Sequence, residues 1–260
     1  SIANIYKLTD YKTIECGNLY AYSIERSNKL IDKKGFLGMI VPISITCTQR
    51  MQSVQKILSK DSALWLSNYA ERPSKLFTGA EVMLTIFIKK HNISEIVYGT
   101  GFTKWSTIER YLLFKKCNYT KLSPMRNYLL PKISSELEQR ISQLVVNQSQ
   151  LGHIFIKEKS SPKLYYRIGG GRYWKIFTTF QPIFILNGER GISSRENYLY
   201  FRTQEIRDVV VAILSSSLFY WYFILTTNCR DLNPSDLNQF PISIADMNTG
   251  IITCLLYTSD

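Results

Sequence analysis

Residues 36–45 (FLGMIVPISI) form a nearly uninterrupted apolar run of strand length. A run without polar alternation suits a strand covered on both faces, as in a parallel sheet flanked by helices. Just before it, Leu19, Tyr22, Ser23, Arg26 and Leu30 recur at helical intervals, with Ile24, Ser27 and Ile31 in the adjoining stripe, which predicts an amphipathic helix over 18–31. Asp32-Lys33-Lys34-Gly35 supplies turn chemistry between the two. Helix, glycine turn and buried strand together predict an α/β fold. With 260 residues, 45% hydrophobic and 20% charged, the chain has material for one large or two small domains, and disorder, collagen and coiled coil are excluded.

The pattern continues with a helix over 48–59, whose Met51, Val54, Ile57 and Leu58 share one side, and a short strand over 63–68. In residues 81–90, Val82, Leu84, Ile86 and Ile88 alternate with Met83, Thr85, Phe87 and Lys89, which predicts a strand with one richer apolar face. The α/β pattern stops near His91. Residues 93–130 read as a connector with a strand at 96–100 and a helix at 108–116, and Pro131-Lys132 opens a helix over 134–146. Beyond it, short aromatic strands are predicted at 163–168, 174–178, 183–187 and 197–202, then a long helix at 205–227 and a final turn of helix from Pro234. The expected domains are therefore 1–92, a connector at 93–130, and 131–250.

The segment 209–227 carries no charge, and its length is close to the minimum for spanning a bilayer. Its serines and threonines dilute the hydropathy, and Arg207-Asp208 and Arg230-Asp231 bracket it without a one-sided cationic bias, so a buried helix is expected and no membrane partner. Five cysteines without a close pair predict neither a disulfide framework nor a zinc knuckle, and His91 and His153 have no partner in a catalytic or metal spacing. No metal is expected. A reducing compartment is expected from the cysteines. Residues 1–10 lack a signal-peptide pattern, and the chain reads as starting inside a longer protein.

Lysine and arginine number 32 against 20 acids, a formal charge of +12, which makes a polyanion the first partner to test. Between residues 157 and 190 lie Lys157, Lys159, Lys163, Arg167, Arg172, Lys175 and Arg190 against only Glu158 and Glu189, interleaved with Tyr165, Tyr166, Tyr173 and Trp174. Cations among flat rings suit a nucleic-acid surface, and Gly169-Gly170-Gly171 lets backbone approach a sugar-phosphate strand. The candidate DNA-binding set is Lys163, Arg167, Arg172, Tyr173, Trp174 and Lys175. A solvated basic hairpin with structural aromatics is the competing reading.

Three segments carry a family resemblance. Residues 17–45, with Asn18-Leu19-Tyr20 near the helix start and Val41-Pro42 closing the strand, resemble the helix and strand after the catalytic motif of TaqI-type adenine-specific DNA methyltransferases and related combined restriction-modification enzymes. Residues 74–90 resemble the loop and last strand of the same catalytic domain, and Arg230, Leu232, Asn233, Asp236, Leu237, Phe240 and Pro241 match the tail of the appended target-recognition domain. The resemblance implies the C-terminal part of a class I, Rossmann-like methyltransferase sheet followed by an α+β target-recognition domain. It also implies double-stranded DNA as partner and S-adenosylmethionine as the parent enzyme's cofactor, in a prokaryotic cytoplasm. By the same resemblance Phe77 is expected at the position of the loop ring that stacks on the extruded adenine, with Pro42, Ile43 and Ser44 expected to line the pocket. Neither a glycine-rich cofactor loop nor an Asn-Pro-Pro-Tyr motif occurs in the chain, so a fragment inactive by itself is expected, missing an N-terminal catalytic portion. A stand-alone DNA specificity subunit is the alternative. Residues 251–260 resemble a translated sequencing adapter and are expected to be non-native.

Overall fold

The computed structural model describes residues 10–123, 130–159, 162–169 and 175–242. The chain divides into two units, Ser1–Leu144 with Leu225–Asn228, and Val145–Ile224 with Cys229–Asp260. The division falls beyond both expected boundaries, because residues 93–130 add strands to the first unit rather than linking domains.

The first unit opens with α1 (Leu19–Leu30), whose Ala21 and Ile24 are buried. β1 (Phe36–Pro42) follows the predicted turn. Its strand geometry stops at Pro42, earlier than the apolar run suggested, and a single helical turn, α2 (Ser44–Cys47), takes the rest. Next come α3 (Gln52–Ser59), β2 (Ser62–Tyr69), β3 (Leu84–His91), β4 (Ile96–Thr103) and β5 (Thr120–Lys121). These strands form one mixed sheet in the order β1-β3-β2-β4-β5. β3 runs antiparallel to both neighbours, β2 and β4 are parallel, and β5 is antiparallel to β4. It follows that β1, β2 and β4 all point the same way. α4 (Glu136–Val146) matches the helix predicted there.

One face of this sheet packs Leu37, Val41, Leu64, Leu66 and Phe87 against α1 and α3. It is the face of β3 with fewer apolar residues. Lys89 is 2% exposed on it, and its Nζ donates to Ile57 O at 2.6 Å and Lys60 O at 3.4 Å, while Thr85 Oγ1 donates to Asn68 Oδ1 at 2.8 Å. Both polar groups find acceptors, which offsets part of the cost of burying them, although burial still pulls the Lys89 ammonium below its usual range. The richer apolar face is only partly covered. Tyr69, Leu76, Trp105 and Leu113 cluster with Leu84 and Ile86, whereas Phe36, Ile40 and Ile88 stay exposed.

The second unit has a three-stranded antiparallel sheet, β10-β6-β7, of β6 (Lys163–Arg167), β7 (Phe177–Thr178) and β10 (Glu196–Tyr200). Between β7 and β10, β8 (Phe184–Leu186) and β9 (Glu189–Gly191) form a hairpin. Its two-residue turn holds Asn187 at φ 53° and Gly188 at φ 84°, the left-handed pair that matches strand twist. The predicted long helix is two: α5 (Gln204–Leu214) and α6 (Ser217–Thr226), bent by 63°. Ser216 explains the break, since its Oγ donates back to Ile213 O at 2.6 Å and accepts from Phe219 N at 3.3 Å, closing one helix and capping the next. No single described helix is long and apolar enough to cross a membrane, although this bent pair reaches the threshold together.

α7 (Pro234–Asn238) closes the described chain. The tail residues that carried the resemblance are architectural. Leu232, Leu237 and Phe240 are fully buried, Phe240 meets Phe219 edge-on at 5.1 Å, and Asn233 and Asp236 form a capping box.

The inverted face of β3 predicts opposite outcomes for adjacent residues. Phe87→Ala should lower the unfolding free energy by about 3–5 kcal/mol in urea titrations, and Ile88→Ala by less than about 1 kcal/mol.

Candidate functional site

The register lines up Pro42 with Leu84, Leu84 with Tyr69, and Tyr69 with Thr103. The carboxyl ends of β1, β2 and β4 therefore share one end of the sheet with the start of β3. In open α/β sheets ligands bind in the crevice outside such ends. Ile43 N donates to Met83 O at 2.9 Å, which ties the turn after β1 to the residue before β3. Tyr20 OH and Ser44 Oγ are hydrogen-bonded at 3.1 Å, joining α1 to the same turn, and burial raises the Tyr20 phenol above its ordinary range.

The loops after β2 and β4 are fastened to one another. Ser74 N donates to Trp105 O at 3.2 Å, and the hydroxyls of Ser74 and Thr107 pair at 2.8 Å. Arg110 Nη2 donates to Leu76 O at 2.8 Å, with its guanidinium 5.5 Å from the Trp105 ring centroid. Leu76 is buried in the Tyr69 cluster and Phe77 next to it is 47% exposed, beside a turn that Gly79 makes at φ 83°. Phe77 is thus an outward ring on an anchored backbone. Pro42 and Ser44 are half-buried, but Ile43 is only 3% exposed. Its side chain belongs to the core and cannot line a pocket, which corrects the expectation for that residue. Sequence reasoning also missed Trp105 and Arg110, in the segment read as a connector. The readable signal was Ser106-x-x-Glu109, where a capping box starts the helical turn carrying Arg110.

In the second unit, directly opposed residues share a face, which places Lys163, Tyr165 and Arg167 of β6 on one side with Tyr200, Tyr198 and Glu196 of β10. Tyr198 meets Tyr165 at 6.2 Å and Tyr200 at 5.2 Å between centroids. Lys163 Nζ stands 5.3 Å and 5.5 Å from the Tyr198 and Tyr200 centroids. Tyr198 is 45% exposed and Arg167 is exposed, so this is an outward-facing aromatic and cationic surface. Tyr198 and Tyr200 were not singled out from the sequence, because only their register with β6 gives them this role.

Lys175 is not part of that surface. It is 6% exposed, its Nζ donates to Arg230 O at 2.8 Å, and it lies 4.8 Å from the Phe223 ring centroid. Burial pulls the ammonium below its usual range against the opposing pull of Asp231 and Asp236. Its expected contact with DNA phosphate is thereby corrected: a buried ammonium already bound to a carbonyl does not reach phosphate. Arg172, Tyr173 and Trp174 lie outside the described residues.

The chain matches no known family by sequence and no curated protein. Part of the chain is similar to part of several solved structures, of which two follow. One is a nuclease-deletion mutant of the Type ISP restriction-modification enzyme LlaGI in complex with a DNA substrate mimic (16% identity, TM-score 0.37, 58% of this chain and 13% of that one). The other is a DrdV–DNA complex (11% identity, TM-score 0.38, 58% of this chain and 17% of that one).

Asp236 offers a pH test of the second unit. Burial is the main cause that raises its carboxyl to about 6 from the ordinary 3.8, against the hydrogen bonds from Asn233 and the charge of Lys175. The folded state therefore holds this proton more tightly, so the contribution is full below about pH 3.8 and is lost as pH rises through about 6. Asp236→Asn, which can still accept the Asn233 amide, should gain about 1–3 kcal/mol over the native protein at neutral pH and nothing at pH ~3.5, as read by urea unfolding across that range.

Proposed function

We propose that the protein is part of a site-specific DNA adenine methyltransferase of a restriction-modification system, comprising the end of its catalytic sheet and its DNA-recognition unit. The observation that carries the reading is the bond between Ile43 and Met83. It joins the two segments that resemble the catalytic domain and sets the Pro42–Ser44 turn at the same sheet end as the loop bearing Phe77. In this reading the exposed Phe77 ring stacks on an adenine taken out of the duplex, a contact worth about 1–3 kcal/mol against an unstacking cost of similar size. The tyrosine and lysine face of β6 and β10 holds the duplex by its phosphates.

The turn that follows β1 does not fit S-adenosylmethionine. The turn that follows β1, residues 43–48, contains neither glycine nor acid, and Ser44 in it is engaged by Tyr20. We therefore place the cofactor and the amine-orienting motif outside these residues, and no step is derived through them.

Mobility shifts with a ~30-bp duplex in a salt series, run beside a labelled-cofactor assay, test the reading. Binding should weaken linearly with log salt, and Lys163→Ala should lower the slope by about 1 at every sequence tried. No label should pass to DNA from this chain alone. Salt-independent binding, or none at ~50 mM salt, would overturn the DNA reading, and methyl transfer by the chain alone would overturn the placement of the cofactor site.

A further inference from the structure

Duplex binding leaves one feature of the second unit without a role. At the Arg167 end of the outer sheet face lies a cleft of about 240 Å³, walled by Tyr165, Ile176, Ile183 and Phe184. Ile176 and Ile183 are 65% and 70% exposed, so large apolar side chains stand in water at its rim. The polar groups lining it are few: Arg167 brings a guanidinium, Glu196 a carboxylate, and Thr178 and Ser193 hydroxyls. Gln181 Nε2 donates to Glu196 Oε1 at 3.1 Å and so holds the carboxylate in place.

A volume below the ~300–1,000 Å³ of ordinary small-molecule pockets suits one flat ring system and not a dinucleotide cofactor. Apolar and aromatic walls with a donor and an acceptor at the edge complement a nucleobase, whose faces are apolar and whose edge carries both kinds of group. The cleft also does not stand alone. Tyr165 belongs both to its wall and to the row that continues through Tyr198 and Tyr200 beneath Lys163. From Arg167 to Lys163 the row spans about 13 Å, enough for two or three nucleotides of one strand.

We propose that this cleft receives a single unpaired nucleobase, with the adjoining nucleotides of the same strand passing over Tyr198 and Tyr200. This site is separate from Phe77, and it rests on the reading of the protein as DNA-binding. The second unit thereby detects a base displaced from the duplex, in addition to holding the duplex itself.

Three fluorescein-labelled duplexes of one sequence test it by anisotropy with the full chain: fully paired, with one extrahelical adenosine, and with an abasic residue in place of that adenosine. The extrahelical base should tighten binding about tenfold over the paired duplex, and the abasic residue should not. Ile183→Trp, which fills the cleft from an exposed position, should abolish the preference and leave paired-duplex affinity within about threefold. Glu196→Ala should reduce the preference independently, which keeps the test open if the tryptophan variant misfolds. Equal affinity for paired and bulged duplexes would overturn the cleft alone. So would a preference that survives in the abasic duplex or in both variants. Failure of the native chain to bind any of the three would overturn the cleft and the DNA reading together.

Discussion

Burial of Phe87 together with the hydrogen bond from Lys89 to Ile57 O fits the way β3 faces, and much of the first unit follows from that choice. A helix leaves its last carbonyls without partners, and an ammonium removed from water is costly unless it is bonded. Placing Lys89 beneath the end of α3 meets both needs at once. Side chains on a strand alternate, so fixing one residue fixes all of them. Phe87 turns inward with Lys89, Ile88 turns outward, and the pairings of β3 with β1 and β2 carry the same choice across the sheet. The same register brings the turn after β1 and the loop bearing Phe77 to one end.

The sequence made legible those elements whose patterning is local. α1, β1 and α3 show it in the spacing of their apolar residues, whereas of the β8–β9 hairpin only the first strand was read, because Asn187 was assigned to that strand and not to the Asn187-Gly188 turn. The face of β3 was not legible, because counting apolar side chains favours Ile86 and Ile88 and says nothing of a carbonyl acceptor 32 residues away at Ile57. β4 was readable only in part. Its Gly99 and Gly101 weaken strand propensity, and the space left at Gly99 is taken by Leu122, to which an added Cβ would come within 2.8 Å. At the site, Phe77 is exposed and Ile43 is buried, so proximity in sequence to a turn does not place a side chain in a pocket.

The uncharged segment of the second unit shows how three consecutive serines change what an apolar run becomes. Without a break, residues 209–227 would continue as one helix of membrane-spanning length. Ser216 bonds back to Ile213 and caps Phe219, so the chain turns and its apolar residues meet a core on more than one side: Val209 and Val210 before the bend, and Phe219 and Phe223 after it, are all buried. A helix apolar all round needs such a surrounding.

Net charge read from composition overstates what reaches the surface. Lys89, Lys132 and Lys175 are each at most 6% exposed, and each donates to a backbone carbonyl, of Ile57, Thr227 and Arg230 respectively. These cations serve as caps for helix ends and turns, and a phosphate outside gains little from them. What remains outward in the second unit is arranged and not merely abundant. Lys163 holds its ammonium over two tyrosine rings, and under the proposed function such a geometry would let charge draw a polyanion and rings hold what it brings. Attraction of that kind is independent of sequence. Discrimination by this face would need groups with direction, and the described ones include the guanidinium of Arg167 and the carboxylate of Glu196, opposed across β6 and β10.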